Sequence, residues 1–455
     1  MKKKKFRSAP GTSNKPKQHS STQPVPGSEN QNTDSPALNS SELPAKFPKA
    51  CYPLLGVSLF AILIFIGGAY WGNHFLFHSK SAELDSSSDD TSQASRGLTP
   101  GVPSQPEDFY PAAEYKKQAA ILIGCQDRLH MTPQLYVDIA KAIEGRTPLF
   151  GVVKSVPEAE RGVKLMKKHG LPPDAMRFLV IPTDTIWIRD YAPIILRYED
   201  DSVMMVDARY QTRVMREERL KDEVMGVHLA HMLNLPLRSV PLLLEGGNLA
   251  SNGDGLVATS MKTFALNNFT GFTKDQLKPM FEDYLGTHSV VALDALQHES
   301  TGHVDMLMTF LGKNQAVVAE TTQSGDSQNN ALLQNNVRLL SNINTSSGPV
   351  KVSRIPLPPK WNEAYRSYTN VIMANGILLM PSYSDVDPEL EKRAAAVYKS
   401  LLPNWKIKRI NCDSLVRHGG QLHCISYNIP HYVGIEGLKK QAYPRTTQKK
   451  KKKWL

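Results

Sequence analysis

The chain has 455 residues, 41% of them hydrophobic and 21% charged, enough for a sizeable core and too apolar for a wholly disordered protein. Its formal charge of +11 is carried by the ends: residues 1–50 hold nine Lys/Arg against three Asp/Glu, and residues 439–455 hold eight with no acid, together +14. Everything between is slightly acidic, which excludes a nucleic-acid-binding body despite the basic total.

Residues 1–50 are rich in Lys, Ser, Pro, Asn and Gln and have little to bury against the entropy of ordering, so they are expected to be disordered. An uncharged run follows from 51 to 79, with its apolar heart from Leu54 to Trp71 and aromatic residues near both edges. A bilayer span needs about 20 such residues, and the run predicts one transmembrane helix. A core helix would find nothing to pack against between two polar segments. A cleaved signal peptide has a shorter basic region and a shorter apolar run, so an uncleaved anchor is expected. Basic residues ahead of the span keep the N-terminus cytoplasmic, which places the main domain in the periplasm or outside the cell. Residues 80–105, rich in Ser, Asp and Pro, form a flexible linker, and 106–438 are the folded domain. The basic tail 439–455 either solvates the end or binds anionic lipid.

Within the domain, strand-like runs recur at 119–125, 176–182, 192–198, 203–209, 255–260, 314–320, 370–381 and 422–430. They alternate with helix-like segments at 132–145, 157–170, 273–286 and 387–403, whose apolar positions repeat at three and four residues. The alternation predicts an α/β architecture without choosing between an open sheet and a closed set of repeats. GxGxxG, GxxxxGK, GxSxG, CxxC and HExxH are all missing, so neither a nucleotide cofactor nor a metal is expected. Four cysteines are too few for a disulfide scaffold, although Cys125 and Cys412 would be free to pair in an exported domain.

Four polar segments stand beside apolar strand patterns. TDTIWIRDYAP presents Trp187, Arg189 and Asp190; LLLEGGNLASNGDG presents Glu245 and Asn248; ESTGHVDMLMTF presents His303 and Asp305; HGGQLHC ends at Cys424. Singly, each has a plain structural reading. Asp190 can pair with Arg189 or cap a turn, Glu245 can anchor a glycine loop, and Cys424 can be a small buried side chain, a metal ligand or a nucleophile. His303 and Asp305, two apart on an expected strand, would share one face.

Together, WIRDYAP, EGGN with NGDG, GHVDM and GGQLHC occur in the order and spacing of the agmatine deiminase and bacterial peptidylarginine deiminase family, which the chain resembles from about residue 110 to 432. NVIMANGILLMPSYSD (370–385) also resembles the strand and turn ahead of that family's cysteine unit. The resemblance implies the pentein-like α/β propeller of guanidine-modifying enzymes, five ββαβ-like blades about a pseudo-fivefold axis. It makes Cys424 the nucleophile, His303 the general acid and base, and Asp190 and Asp305 the carboxylates that clamp a guanidinium. Trp187, Glu245, Asn248, Arg189 and Arg213 become substrate-pocket residues by the same resemblance, Arg189 rather as a lock on Asp190.

The implied reaction is hydrolytic deimination through a cysteine thiouronium, with water as sole co-substrate and no cofactor. The implied partner is a small guanidino compound or an arginine-containing peptide; the apolar run at 51–79 adds the membrane through the N-terminal helix, and a homodimer is left open. Two departures from the agmatine pattern bear on substrate. After VDARY the chain reads QTRVMREER, without the expected tryptophan and glycines, and ISYNIP follows Cys424 in place of a glutamine-rich run. Arg213 and Arg216 lie near where exported peptide enzymes carry carboxylate-binding arginines, in a different register. A cationic gate disfavours agmatine's ammonium and favours a carboxylate. Peptidylarginine or arginine is therefore the expected substrate, with agmatine, and N-carbamoylputrescine as its product for putrescine synthesis, as the alternative. A non-catalytic guanidinium binder and an amidinotransferase are the other readings, separated from deimination by the release of ammonia.

Overall fold

The computed structural model describes residues 110–198, 200–210, 219–321 and 326–444. The expected anchor at 51–79, the segments on either side of it, and Arg213 lie outside the described residues. Among the described residues no helix is long and apolar enough to cross a membrane.

Five of the sheets share one wiring. A short strand pairs antiparallel with the next, a helical crossover follows, and a third strand returns parallel to the second. In chain order these trios are Ile194–Arg197, Val203–Arg209 and Leu237–Leu243; Ala250–Ser251, Leu256–Ser260 and Ser289–Leu293; Met308–Gly312, Gln315–Glu320 and Lys351–Pro356; and Ile372–Ala374, Ile377–Ser382 and Lys406–Asn411. The fifth joins the two ends of the domain. Ser426–Pro430 pairs antiparallel with Gln118–Gly124, which continues in parallel to Leu149–Val153 and Arg177–Val180. Parallel neighbours require the crossovers, and the three-and-four periodicity marks Pro133–Ile143, Val156–Lys168, Lys274–Leu285 and Pro388–Leu401 among them but not Met225–Leu233 or Ser327–Ser341.

Those helices carry their own signals. Pro133–Ile143 starts with proline at its first position and buries Leu135, Tyr136, Ile139, Ala140 and Ile143 along one face. Lys274–Leu285 opens with a capping box from Thr273 and Gln276 and stops at Gly286 in the left-handed region. The run 370–381 reads as one strand but is a hairpin, because Asn375 and Gly376 both take positive φ and turn Ile372–Ala374 back onto Ile377–Ser382.

The domain boundary at 438 falls inside the helix Glu436–Gln441 and moves to at least Pro444. Leu438 and Ala442 are fully buried, Tyr443 exchanges backbone hydrogen bonds with Phe178, and Arg177 donates to the carbonyls of Lys439, Ala442 and Pro444. Lys439 and Lys440 thus belong to the fold rather than to a tail. Cys125 and Cys412 are buried free thiols, each donating to the carbonyl two residues before it, so the pairing allowed for above does not occur.

Candidate active site

The chain passes from the last strand of each trio to the first of the next through a short irregular connection, and all five connections bring a polar group to one cluster. Arg189 and Asp190 sit on the turn Ile188–Tyr191, Glu245 follows Leu237–Leu243, and His303 and Asp305 flank Val304 at the turn Val304–Met306. Asn370 precedes Ile372–Ala374, and His423 and Cys424 precede Ser426–Pro430. Irregular backbone there lets side chains converge that a regular strand would hold apart.

His303 is 3% exposed. Its Nε2 lies 2.7 Å from Glu245 Oε2, and its Nδ1 lies 3.6 Å from Asp190 Oδ1. The two glycines after Glu245 follow from this crowding. A Cβ on Gly247 would lie 2.5 Å from His303 Nδ1 and 2.8 Å from Asp190 Oδ1, and one on Gly246 would overlap the Arg189 carbonyl. Gly420 is likewise needed because the Trp187 ring lies against its backbone, which makes Trp187 a wall beside the cysteine loop.

His303 and Asp305 do not share a strand face. Gly302, at φ +63°, turns the chain into a 3-10 turn, and the two side chains go to different partners. Asp305 accepts from His423 Nδ1 at 2.7 Å, and His423 Nε2 meets Glu114 at 3.0 Å. Arg189 pairs with Glu114 at 2.6 Å and also donates to Asn428. Arg189 therefore locks the Glu114–His423–Asp305 chain, rather than Asp190 or substrate. Asn248 is another correction. Its amide donates to Ser260 and Thr263 and its oxygen accepts from the backbone of Ser260 and Val304, so no hydrogen-bonding position is left for substrate. It pins the turn that carries His303 and Asp305.

Cys424 is 6% exposed and its sulfur lies 3.5 Å from Asn370 Nδ2, while Asn370 Oδ1 accepts from the backbone of His423. Burial pushes the thiol well above its usual pKa, and the carboxylates of Asp305 and Asp190 push it further, against the opposing hydrogen bonds of Gln421 and Asn370. Burial also raises Asp190, to about 7, with Glu245 and Asp305 adding to it and His303 opposing. For His303 burial works against the charged form, but Asp190 and Glu245 outweigh it and raise the imidazole to about 9.

One carboxylate oxygen on each side accepts no hydrogen bond: Asp305 Oδ1 is buried without a partner, and Asp190 Oδ1 is buried with His303 Nδ1 facing it at 3.6 Å, beyond hydrogen-bond reach. Such acceptors are costly unless a donor arrives, and two of them suit a planar cation with several N–H groups. No trio of His, Cys, Asp and Glu among the described residues has metal-binding geometry.

Glu114, His423 and Asn370 are site residues that sequence reasoning passed over. His423 stood beside the cysteine and Asn370 inside a quoted motif, whereas Glu114 carried no local signal.

An imidazole held protonated by Glu245 and Asp190, and a thiol within reach of the charges of Asp190 and Asp305, are equipped for nucleophilic cleavage of a cationic C–N centre. A family model for the Porphyromonas-type peptidyl-arginine deiminase matches residues 112–430, and the chain belongs to that family. It is similar to a putative agmatine deiminase of Yersinia pseudotuberculosis, 22% identical over 73% of this chain and 98% of the relative. A second such relative, from Mycoplasma mycoides, is 24% identical over 56% of this chain and 77% of its own. Among solved structures, a putative arginine deiminase from Porphyromonas gingivalis superposes with a TM-score of 0.62 at 23% identity, covering 71% of this chain and 99% of that one. A C. jejuni agmatine deiminase with substrate bound gives 0.60 at 20% identity, over 70% and 96%. These structural likenesses establish a shared α/β fold.

The raised imidazole makes a pH test available. A general acid works only while protonated, so if His303 has that role kcat/KM should fall as pH rises through about 9. In Glu245→Gln the imidazolium loses its carboxylate partner, and that limb should move down by roughly 1–3 pH units. Deprotonation of Cys424 would raise the rate with pH, so the falling limb isolates His303. An unmoved limb in the variant would contradict the assignment.

Proposed function

We propose that this protein hydrolyses a guanidino group to a ureido group and ammonia, with arginine in peptides or free arginine as substrate. The observation that carries the reading is the pair of buried oxygens on Asp190 and Asp305 that accept no hydrogen bond, on carboxylates whose charges reach the Cys424 thiol. A guanidinium bound there gives each carboxylate the N–H donors it lacks and fixes the central carbon near sulfur.

Binding also changes the nucleophile. In the empty site the two carboxylates hold the thiol proton on, and a bound cation offsets their charge. The thiolate then adds to the guanidinium carbon, and His303 gives its proton to one nitrogen, which leaves as ammonia when its bond to carbon breaks. The resulting thiouronium remains bonded to Cys424. Neutral His303, oriented by Glu245, takes a proton from water as the oxygen adds to the same carbon. Collapse breaks the C–S bond and returns the thiolate. Asn370 Nδ2 stands where it can donate to that sulfur.

The family's pentein-like five-bladed propeller is our reading of the architecture. Five like-wired sheets support it, as do closure through Ser426–Pro430 and a central cavity lined from the first strands of all five.

Substrate choice is argued from charge at the approach. Burial raises the Tyr210 phenol, the charges of Asp190 and Glu245 reach it and add to the effect, and Arg219 donates to its hydroxyl at 2.5 Å. That guanidinium repels the ammonium of agmatine and attracts a carboxylate or peptide carbonyl. The expected anchor at 51–79 supports the same choice, since peptides are met outside the cell. Similarity to the putative agmatine deiminases of Yersinia pseudotuberculosis and Mycoplasma mycoides supports the agmatine alternative. The test is ammonia release by the full chain from agmatine, free arginine, and peptides with internal or C-terminal arginine. Peptides or arginine should be preferred, and Arg219→Ala should narrow the preference. Turnover confined to agmatine would replace this substrate assignment.

A further inference from the structure

Asp305, Arg189 and His423 frame the catalytic cluster and also form part of the wall of a separate space of about 90 Å³. Cys424, His303 and Asp190 do not line it. At about 15 Å³ for each water-sized position it has room for roughly six waters. Its wall is polar where it meets the site. Glu114 borders it, held down to about 2 because Arg189 and His423 outweigh the effect of burial. Gln118, 3% exposed, and Arg189 both line it, and each carries a buried side-chain atom without a hydrogen-bond partner, Oε1 on Gln118 and Nε on Arg189. One unused acceptor and one unused donor on the same wall are what a short file of water needs at its ends.

A second cavity of about 250 Å³ adjoins the first across Pro111, Ala112 and Ala113, which belong to the walls of both. It is bordered by Lys116, Arg197 and Asp201, and the last two are exposed to solvent. The two spaces thus lie side by side, the inner one against Asp305 and His423 and the outer one bordered by solvent-exposed residues.

Each turnover of the proposed reaction removes one ammonia from the guanidinium carbon and adds one water to that same carbon. The exchange falls while the rest of the substrate is still held by Cys424 and fills the way in. We propose that the two adjoining cavities are a second aqueous route, by which ammonia leaves and the hydrolytic water arrives while the substrate occupies the mouth. This rests on the deiminase reading. Atoms balance within it: guanidinium and water give the ureido product and ammonium, and the route carries only water and the released nitrogen. His423, held between Glu114 and Asp305, is the positioning group at its inner end.

Ala112 belongs to the wall that the two cavities share and takes no part in the chemistry. Ala112→Phe should obstruct passage between them, Ala250→Met should fill the inner cavity from a different strand, and Ala112→Ser preserves the space. Each full-length variant is assayed with an arginine hexapeptide, which fills the mouth, and with methylguanidine, which leaves it open. For the peptide, either bulky variant should lower kcat about tenfold at little changed KM. Quenched samples should show the cysteine adduct accumulating by mass. Methylguanidine turnover and the serine variant should stay within about twofold of wild type. Equal slowing of both substrates, or slowing of neither, overturns the route while leaving the deiminase reading intact. A wild-type chain that releases no ammonia from either substrate removes that reading and the route with it.

Discussion

Replacing Cys424 with serine is expected to lower ammonia release at least about 10⁴-fold while guanidino ligands still bind. The reason lies in how this nucleophile is charged. Burial and two carboxylates already hold the thiol proton on, and a serine hydroxyl, intrinsically far less acidic, faces the same field with only the Gln421 and Asn370 hydrogen bonds to oppose it. A bound guanidinium supplies enough compensation to ionise a thiol but not an alcohol. Binding, in contrast, rests on Asp190 and Asp305, which the substitution leaves in place. The measurements are ammonia release, ligand affinity by calorimetry, and mass spectrometry of acid-quenched turnover. Wild type should show an adduct of substrate less ammonia, and the variant none. Retention of more than about 1% of the rate by the variant would remove Cys424 from its role.

How far this site could be read from sequence depends on where each residue's partners lie. Cys424, His303, Asp190, Asp305 and Glu245 each sit in a short motif with glycine or aromatic neighbours, and the structure shows why: Gly247 makes room for His303, and Gly420 for Trp187. Glu114 was illegible because its role is wholly tertiary. Its partner His423 is 309 residues away, and nothing in AAEYKK distinguishes it from a solvated carboxylate. The shared-face expectation for His303 and Asp305 failed for a local reason, the turn after Gly302, which an extended-strand reading does not anticipate.

The fold shows a similar division. Buried strands such as Leu256–Ser260 announced themselves as apolar runs. Leu237–Leu243, Lys351–Pro356 and Lys406–Asn411 were missed because each is the outer strand of its sheet, and edge strands carry charges such as Arg238, Arg354 and Lys408. The helix Ser327–Ser341 escaped for the opposite reason. Its inward face includes Asn329 and Asn336, whose side chains accept from the backbone of Gln297 and Asp294. A polar residue satisfied in the interior counts as exposed in any apolar periodicity.

Asp190→Asn should separate two effects that usually move together. The amide keeps the shape of the clamp but loses the charge that makes its hydrogen bonds to a guanidinium strong. With two such bonds at about 1.5–3 kcal/mol each, kcat/KM should fall by roughly 10²- to 10⁴-fold. The same substitution removes one of the carboxylates that hold the Cys424 proton in place. In the ligand-free enzyme the thiol pKa should therefore fall, and a drop of about one unit gives about tenfold more thiolate at a pH below it. Alkylation of Cys424 by iodoacetamide, followed by mass spectrometry with Cys125 and Cys412 as buried internal controls, should speed up accordingly. Asp305→Asn should show the same pairing of slower turnover and faster alkylation, with an added loss because His423 gives up a charged partner. A variant that merely loosens the fold would speed alkylation of all three cysteines, so selectivity for Cys424 carries the test. If alkylation of Cys424 is unchanged or slower, these carboxylates do not restrain the thiol, and activation of the nucleophile by its own substrate must be abandoned.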